Sequence, residues 1–308
     1  MTGPSIATRR VTVDGRVYTA RVLRRVCAPP DAPRLVVVSY QPTGPARDVL
    51  DVCIQAVQRY TPEPHELWVV DNNSPANRHW LLEQPGINVV LNQTEPLPLD
   101  RRGLRRWFLP KGSQSDWGSY ANAVALEIVA QLIEDDCEIL MPMHMDVMPC
   151  RTGWLRFLRS KLDDRVRAAG VRMDRSRTPE GVLHVLGYLV DFQLFRRLGL
   201  DFFPDLPQFD VGDRVTVALR QAGYDVFACS NTLWQPELVE TIPAGSPMRR
   251  LGVDRSFDDD GNVIFLHLGR GVRKSSGGHR EGISTQDWIR FAREHILREP
   301  QHKAEYRA

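Results

Sequence analysis

The chain has 308 residues, 42% hydrophobic and 25% charged, with a formal net charge of +2. That balance belongs to a folded globular protein, as one large α/β domain or two smaller ones, and does not point to a nucleic-acid binder. The cysteines Cys27, Cys53, Cys137, Cys150 and Cys229 form no C-x-x-C pair, which excludes a zinc ribbon or disulfide framework; Cys53 and Cys137 read as buried thiols. No apolar run approaches bilayer-spanning length and Met1–Arg10 lacks a signal-peptide core, so a reducing cytoplasm is the expected location.

Residues 11–22 alternate around Asp14-Gly15, a hairpin signal, and a Pro-rich connector follows from Cys27 to Pro33. Leu35–Ser39 reads as a buried strand. Ala46–Tyr60 reads as a helix with Val49, Leu50, Cys53, Ile54 and Val57 on one face. Glu66–Val70 and Ile87–Leu91 are further strands, and strand–helix–strand at this spacing predicts a largely parallel sheet. Asn92–Trp117 reads as a long loop containing the basic cluster Arg101–Arg106. That cluster is a solvated surface or an anionic-lipid contact, and Trp107, Phe108 and Trp117 could stack on a flat ligand. A helix near Ser119–Glu134 precedes the apolar run Ile139–Met143. Helix 153–162, strand 168–173, the apolar segment Leu183–Phe195, helix 211–222 closed by Gly223, and strand 225–229 come next. Val263–His267 is a short apolar run before a Gly- and Arg-rich loop. The last helix covers about Thr285–Leu297.

The apolar run after Ile139 stops at His144-Met-Asp146. Residues two apart on a strand share a face, so His144 and Asp146 are expected to project together from the carboxyl end of a buried strand. Ligands bind at that end in open α/β sheets, and an Asp there can hold a divalent metal that in turn holds a diphosphate. The plain alternative is a polar strand end entering a loop.

In order along the chain, Val36–Val38, Val69-Val70-Asp71-Asn72-Asn73-Ser74, Gly118-Ser-Tyr-Ala-Asn122, and Met143-His-Met-Asp146-Val-Met-Pro149 with Gly153-Trp154-Leu155 resemble an inverting family 2 glycosyltransferase of the GT-A fold. The resemblance covers about residues 34–270. It implies an α/β fold with a mostly parallel central sheet flanked by helices, divided into a nucleotide-sugar half (34–150) and an acceptor half (151–270). Residues 1–33 would be an N-terminal hairpin extension and connector, and residues 271–308 a flexible loop and C-terminal helix.

The implied reaction moves a sugar from a nucleoside diphosphate to an acceptor hydroxyl or amine with inversion, as a hexosyltransferase. The acceptor would be a small molecule, a glycan or a lipid-linked group; no nucleic acid and no transmembrane segment are involved, and a homodimer is compatible. Donor contacts are implied for Ser39, Tyr40, Asp71, Asn73, Gly118, Asn122, His144, Met145 and Arg270. Asp71-Asn-Asn-Ser-Pro75 also reads as a turn whose side chains bond their own backbone. Gly118 and Asn122 would open a helix, whose N-terminus favours anions.

His144 stands where the family has the first acid of D-x-D, a departure that also leaves room for a metal-independent enzyme. Asp146 keeps the second carboxylate. Asp146, His267 and His144 are the metal candidates for Mn²⁺ or Mg²⁺, with imidazole ligation favouring Mn²⁺. Asp210 and Asp213 precede the acceptor-side helix. One is expected to be the base that takes the acceptor proton and the other a helix cap, with Asp210 preferred as base. Two rival readings remain: a nucleotidyltransferase, although Ser39-Tyr-Gln-Pro-Thr-Gly44 is a poor phosphate loop, and a sugar-nucleotide binder without catalysis.

Overall fold

The computed structural model describes residues 5–75, 78–96, 114–172 and 181–298. The expectations for Arg101–Arg106, Trp107, Phe108 and the Trp117 side chain lie outside the described residues.

Strands β1 (Ala7–Val13) and β2 (Arg16–Leu23) form the expected hairpin. Its turn places Asp14 and Gly15 at φ 49° and 69°, the left-handed pair that a two-residue hairpin loop requires. The hairpin is built into the sheet edge, because β2 pairs antiparallel with β5 (Asn88–Asn92). Next come β3 (Arg34–Ser39), α1 (Gly44–Tyr60) and β4 (Glu66–Asn72). Thr43 caps α1 by accepting from Ala46 N, and Pro45 sits in its first turn. The five apolar residues predicted for the α1 face are all buried.

Helix α2 (Gln114–Leu132) leads to β6 (Ile139–His144), and β7 (Val147–Pro149) follows directly. Then come α3 (Trp154–Arg159), β8 (Val166–Arg172), β9 (Leu183–Asp191), α4 (Phe192–Arg197), α5 (Asp213–Gln221) and β10 (Asp225–Ala228). The chain continues through α6 (Pro247–Arg250), β11 (Asp254–Phe257), β12 (Val263–His267), α7 (Gly271–Ser275) and α8 (Thr285–Phe291).

The main sheet has nine strands in the order β1-β2-β5-β4-β3-β6-β9-β8-β10. Its centre, β5-β4-β3-β6, is parallel, as predicted, with helices on both faces. A second sheet has the order β11-β12-β7.

Side-chain alternation along the central strands builds two cores. Leu35, Val37, Leu67, Val69, Met141 and Met143 face α1, α3, α8 and the small sheet. Val36, Trp68, Val70, Val90 and Leu140 face α2, the hairpin and α5. Each fully buried Val, Leu or Ile contributes about 1.5–3 kcal/mol, so burial on both faces holds the central strands rigid beneath whatever sits at their ends. Among the described residues, no helix is long and apolar enough to cross a membrane.

Two local expectations are corrected. Helix α2 begins at least as early as Gln114, so Gly118 and Asn122 lie inside it and do not open it. The Gly- and Arg-rich stretch after His267 is not all loop, because residues 271–275 form α7.

Candidate metal and nucleotide-sugar site

His144 ends β6 and Asp146 lies in the two-residue turn before β7, which belongs to the other sheet. The two side chains meet across this turn and not by strand alternation, with His144 Nδ1 3.9 Å from Asp146 Oδ1. β7 pairs antiparallel with β12 in a register that sets His267 opposite Val147. That register brings His267 Nε2 to 3.9 Å from Asp146 Oδ2. One ligand atom from each of His144, Asp146 and His267 lies within 4.8 Å of the others, so this cluster could hold a metal ion. A cation with bonds of about 2.1 Å holds its ligand atoms roughly 3–4 Å apart, so the three residues fit one ion after a small closure.

Asp146 is fixed from behind. Its carbonyl accepts from Leu268 N (3.0 Å) and its Oδ2 accepts from Gly271 N (2.8 Å). A Cβ at position 271 would lie 2.7 Å from Asp146 Cβ and 3.0 Å from Oδ2, so only glycine allows this approach. Burial alone would raise the Asp146 pKa, but His267, His144 and the Gly271 amide outweigh it and hold the carboxylate ionised. Burial depresses His144 to about 4, which keeps the ring neutral with a lone pair to offer. Burial also works against protonation of His267, yet Asp254 and Asp146 prevail and raise its pKa. Asp254 Oδ2 lies 3.3 Å from His267 Nδ1, off the direction of a good hydrogen bond.

The opposite wall carries the two acids. Asp213 is fully buried at the start of α5; its Oδ1 accepts from His184 Nδ1 (2.9 Å) and its Oδ2 from Asp210 N (3.0 Å). Its carboxylate therefore ties the loop to a buried histidine and also suits the positive helix end. Asp210 is only half-buried. Burial would raise its pKa, but His184, the Ser119 hydroxyl, the Val211 amide and His144 bring it below the ordinary value. The His184 ring stands edge-on to the His144 ring at 5.5 Å between centroids, so the acid wall and the metal cluster are neighbours.

At the β3–β4 edge, Asp71 is fully buried. Its Oδ1 accepts from Ser74 N (3.1 Å) and Arg78 Nη1 (3.1 Å), and its Oδ2 accepts from Gln41 Nε2 (3.0 Å) and the Ser74 hydroxyl. A carboxylate has about four acceptor positions, so the chain itself occupies all of them. Asp71 here organises the turn Asn72–Pro75, and Asn72 pins that turn to α2 through Ala121 O (2.6 Å). Ser39 is also buried, with its hydroxyl directed at Val70 O (3.3 Å). Tyr40, just after β3, is 43% exposed, and Asn73, just after β4, is in the left-handed region at φ 61°.

Met145 is buried in the core. Gly118 is exposed on α2, and Arg270 is exposed at the N-cap of α7 with φ 56°. Asn122 Nδ2 lies 3.0 Å from His144 Nε2, so its observed partner is the cluster histidine.

Two residues of this site escape sequence reasoning. His184 announces itself only as a polar residue within the apolar run of β9. Asp254 meets His267 because β11 and β12 pair Asp254 with His267, a register that local patterning does not encode.

No protein-family model matches the chain, and no curated protein sequence does. Among solved structures, the chain is similar to a variant of Drosophila β-1,4-galactosyltransferase 7 in complex with manganese, UDP-Gal and xylobiose: 11% identity, TM-score 0.40, 84% of this chain and 79% of that one. It is also similar to the galactosyltransferase LgtC in complex with donor and acceptor sugar analogues: 13% identity, TM-score 0.46, 87% of this chain and 98% of that one. A third likeness is glucosyl-3-phosphoglycerate synthase from Mycobacterium tuberculosis in complex with phosphoglyceric acid: 14% identity, TM-score 0.37, 64% of this chain and 69% of that one.

Proposed function

We propose that this chain is a metal-assisted glycosyltransferase that moves a sugar from a nucleoside diphosphate to an acceptor hydroxyl or amine, with inversion. The observation that carries the reading is one edge of the sheet. There a His144–Asp146–His267 cluster faces a half-buried, ionised Asp210 across the His144–His184 contact.

His144, Asp146 and His267 would hold the cation, with Mn²⁺ favoured over Mg²⁺ because two of the three donors are imidazoles. When bound, the metal neutralises charge on the departing diphosphate. The nucleoside would lie over the β3–β4 edge, against Tyr40 and Asn73, on a floor shaped by Asp71. Exposed Arg270 beside the cluster would meet the diphosphate.

Asp210 would take the acceptor proton as the acceptor oxygen or nitrogen attacks the anomeric carbon. The bond from that carbon to the diphosphate oxygen breaks, and the nucleoside diphosphate leaves with the electron pair. Asp213, sealed behind His184, would hold the loop that presents Asp210.

The test is a panel of labelled uridine, guanosine and thymidine diphosphate sugars incubated with the chain and Mn²⁺, with and without acceptor pools. Release of nucleoside diphosphate with the sugar transferred supports the reading. Release of pyrophosphate would point to nucleotidyl transfer. Binding without turnover of any donor would leave a non-catalytic sugar-nucleotide binder, and a product of retained configuration would overturn the single-displacement route.

A further inference from the structure

Each imidazole of the metal cluster uses one ring nitrogen to face Asp146 and turns the other outward to a fixed side chain. His144 Nδ1 faces Asp146 Oδ1 at 3.9 Å, while its Nε2 meets the Asn122 amide at 3.0 Å. His267 is mounted the opposite way round: Nε2 faces Asp146 Oδ2 at 3.9 Å, while Nδ1 meets Asp254 Oδ2 at 3.3 Å. Inward Nδ1 on one ring and inward Nε2 on the other therefore form the ligand pair, and Asn122 and Asp254 stand behind them.

The two outer partners differ in chemistry. A carboxylate only accepts, and Asp254 Oδ2 lies 3.3 Å from His267 Nδ1, so a small rotation of either group would seat the proton on Nδ1 and leave Nε2 as a lone pair directed at the cluster. An amide presents either a donor or an acceptor after half a turn about its last bond. With its NH₂ toward His144, the ring proton sits on Nδ1 and points at the Asp146 carboxylate. With its oxygen toward His144, the proton sits on Nε2 and Nδ1 is free to bind a cation. In the present orientation Asn122 Oδ1 is buried without a hydrogen-bond partner among the described residues, so none of their donors holds the amide in that orientation. Helix α2 holds Asn122 in place, and the register of β11 on β12 holds Asp254.

We infer that Asn122 and Asp254 are positioning residues that set opposite imidazole tautomers, making His144, Asp146 and His267 a two-histidine, one-carboxylate site for a transition-metal ion. This rests on the metal reading of the cluster given above and extends it to the residues that stand behind its ligands. It also accounts for an amide at 122: one side chain that can donate or accept serves His144 both with and without the cation. Two nitrogen donors select Mn²⁺, Fe²⁺, Co²⁺ or Zn²⁺ over Mg²⁺, which requires oxygen ligands.

The test uses the full chain stripped of metal, without donor or acceptor, titrated with Co²⁺ and followed by calorimetry and the visible ligand-field bands. Wild type is expected to bind Co²⁺ with a band pattern showing nitrogen ligation, and Mg²⁺ not to displace it. Asn122→Leu and Asp254→Leu, which remove every acceptor behind the rings, are expected to weaken Co²⁺ binding by about 10- to 100-fold and to alter the bands. Asn122→Asp supplies a permanent acceptor for Nε2–H and is expected to restore wild-type affinity within a few-fold. Asn122→Ala stands in if the leucine variant does not fold. Wild-type affinity and spectrum in both Asn122→Leu and Asp254→Leu would overturn the inference while leaving the metal site standing, as would failure of Asn122→Asp to restore binding. Absence of Co²⁺ and Mn²⁺ binding in wild type would overturn the metal reading itself.

Discussion

Gly271→Ala tests the core of the site with one methyl group. The added Cβ would lie 2.7 Å from Asp146 Cβ, 3.2 Å from Cγ and 3.0 Å from Oδ2. Real contacts of this kind do not occur, so either Asp146 or the first turn of α7 must move. Forcing an extra methyl into a packed site costs about 1–3 kcal/mol. If the shift also breaks the Gly271 N–Asp146 Oδ2 bond, a charge-assisted hydrogen bond of about 1.5–3 kcal/mol is lost. Relaxation recovers part of the sum, so the expected loss of stability is about 2–4 kcal/mol. The functional effect is separate, because a displaced Asp146 is expected to weaken Mn²⁺ binding by about tenfold or more. Gly277→Ala is the control: φ is +73° there, but nothing lies within 4 Å of an added Cβ. That substitution is expected to cost about 1–2 kcal/mol of backbone strain and leave metal affinity untouched. Urea denaturation and Mn²⁺ calorimetry on both variants decide the matter. Gly271→Ala with wild-type stability and metal affinity would show that the close approach to Asp146 is not structural.

Asp210→Asn is expected to lower turnover by a factor of order 10²–10⁴ with donor affinity nearly unchanged, whereas Asp213→Asn is expected to lose about 1–3 kcal/mol of stability through its buried His184 bond. Kinetics at equal folded fraction, with denaturation of both variants, separate the roles, and near wild-type turnover in Asp210→Asn would move the base elsewhere. Asp71→Ala leaves Gln41, Ser74 and Arg78 donors unmatched around a buried void, so a loss of about 2–4 kcal/mol is expected in urea unfolding, and a neutral result would contradict the hydrogen-bond network. Glu127 on α2 has its pKa raised to about 7, chiefly by burial and despite accepting from Phe202 N. Because folding favours its neutral form, its contribution to stability is whole below the ordinary 4.5 and is lost as pH rises through about 7. Glu127→Gln is therefore expected to flatten the pH dependence between these values, by up to about 3 kcal/mol, in denaturation curves at pH 5 and pH 8.

Much of this protein is written locally. Asp14-Gly15 dictates its hairpin because few other pairs accept two left-handed residues. The apolar face of α1 and the buried runs of β3, β4 and β6 follow from periodicity, since each element must hide a stripe or two faces from water. Strand–helix–strand spacing was enough to predict parallel pairing of the central strands, and the abrupt end of an apolar run at His144-Met-Asp146 was enough to single out two members of the His144–Asp146–His267 cluster. The limits of local reading are equally specific. Asp146 meets His144 through a turn between two sheets, and no single-strand periodicity can describe that. His267 and Asp254 reach the cluster only because β12 pairs with both β11 and β7, and β7 lies more than a hundred residues away in sequence. Asp210 and Asp213 carry the same side chain three residues apart, and neither propensity nor spacing distinguishes them. Burial does, sealing one against His184 and leaving the other partly open. Asp71 shows the same limit: an acid at a strand end reads as a ligand contact or a turn, and the four donors that converge on it are placed by the fold. Chemistry-bearing residues are legible one at a time, but which of their lone pairs remain free is decided by neighbours that only the tertiary fold supplies.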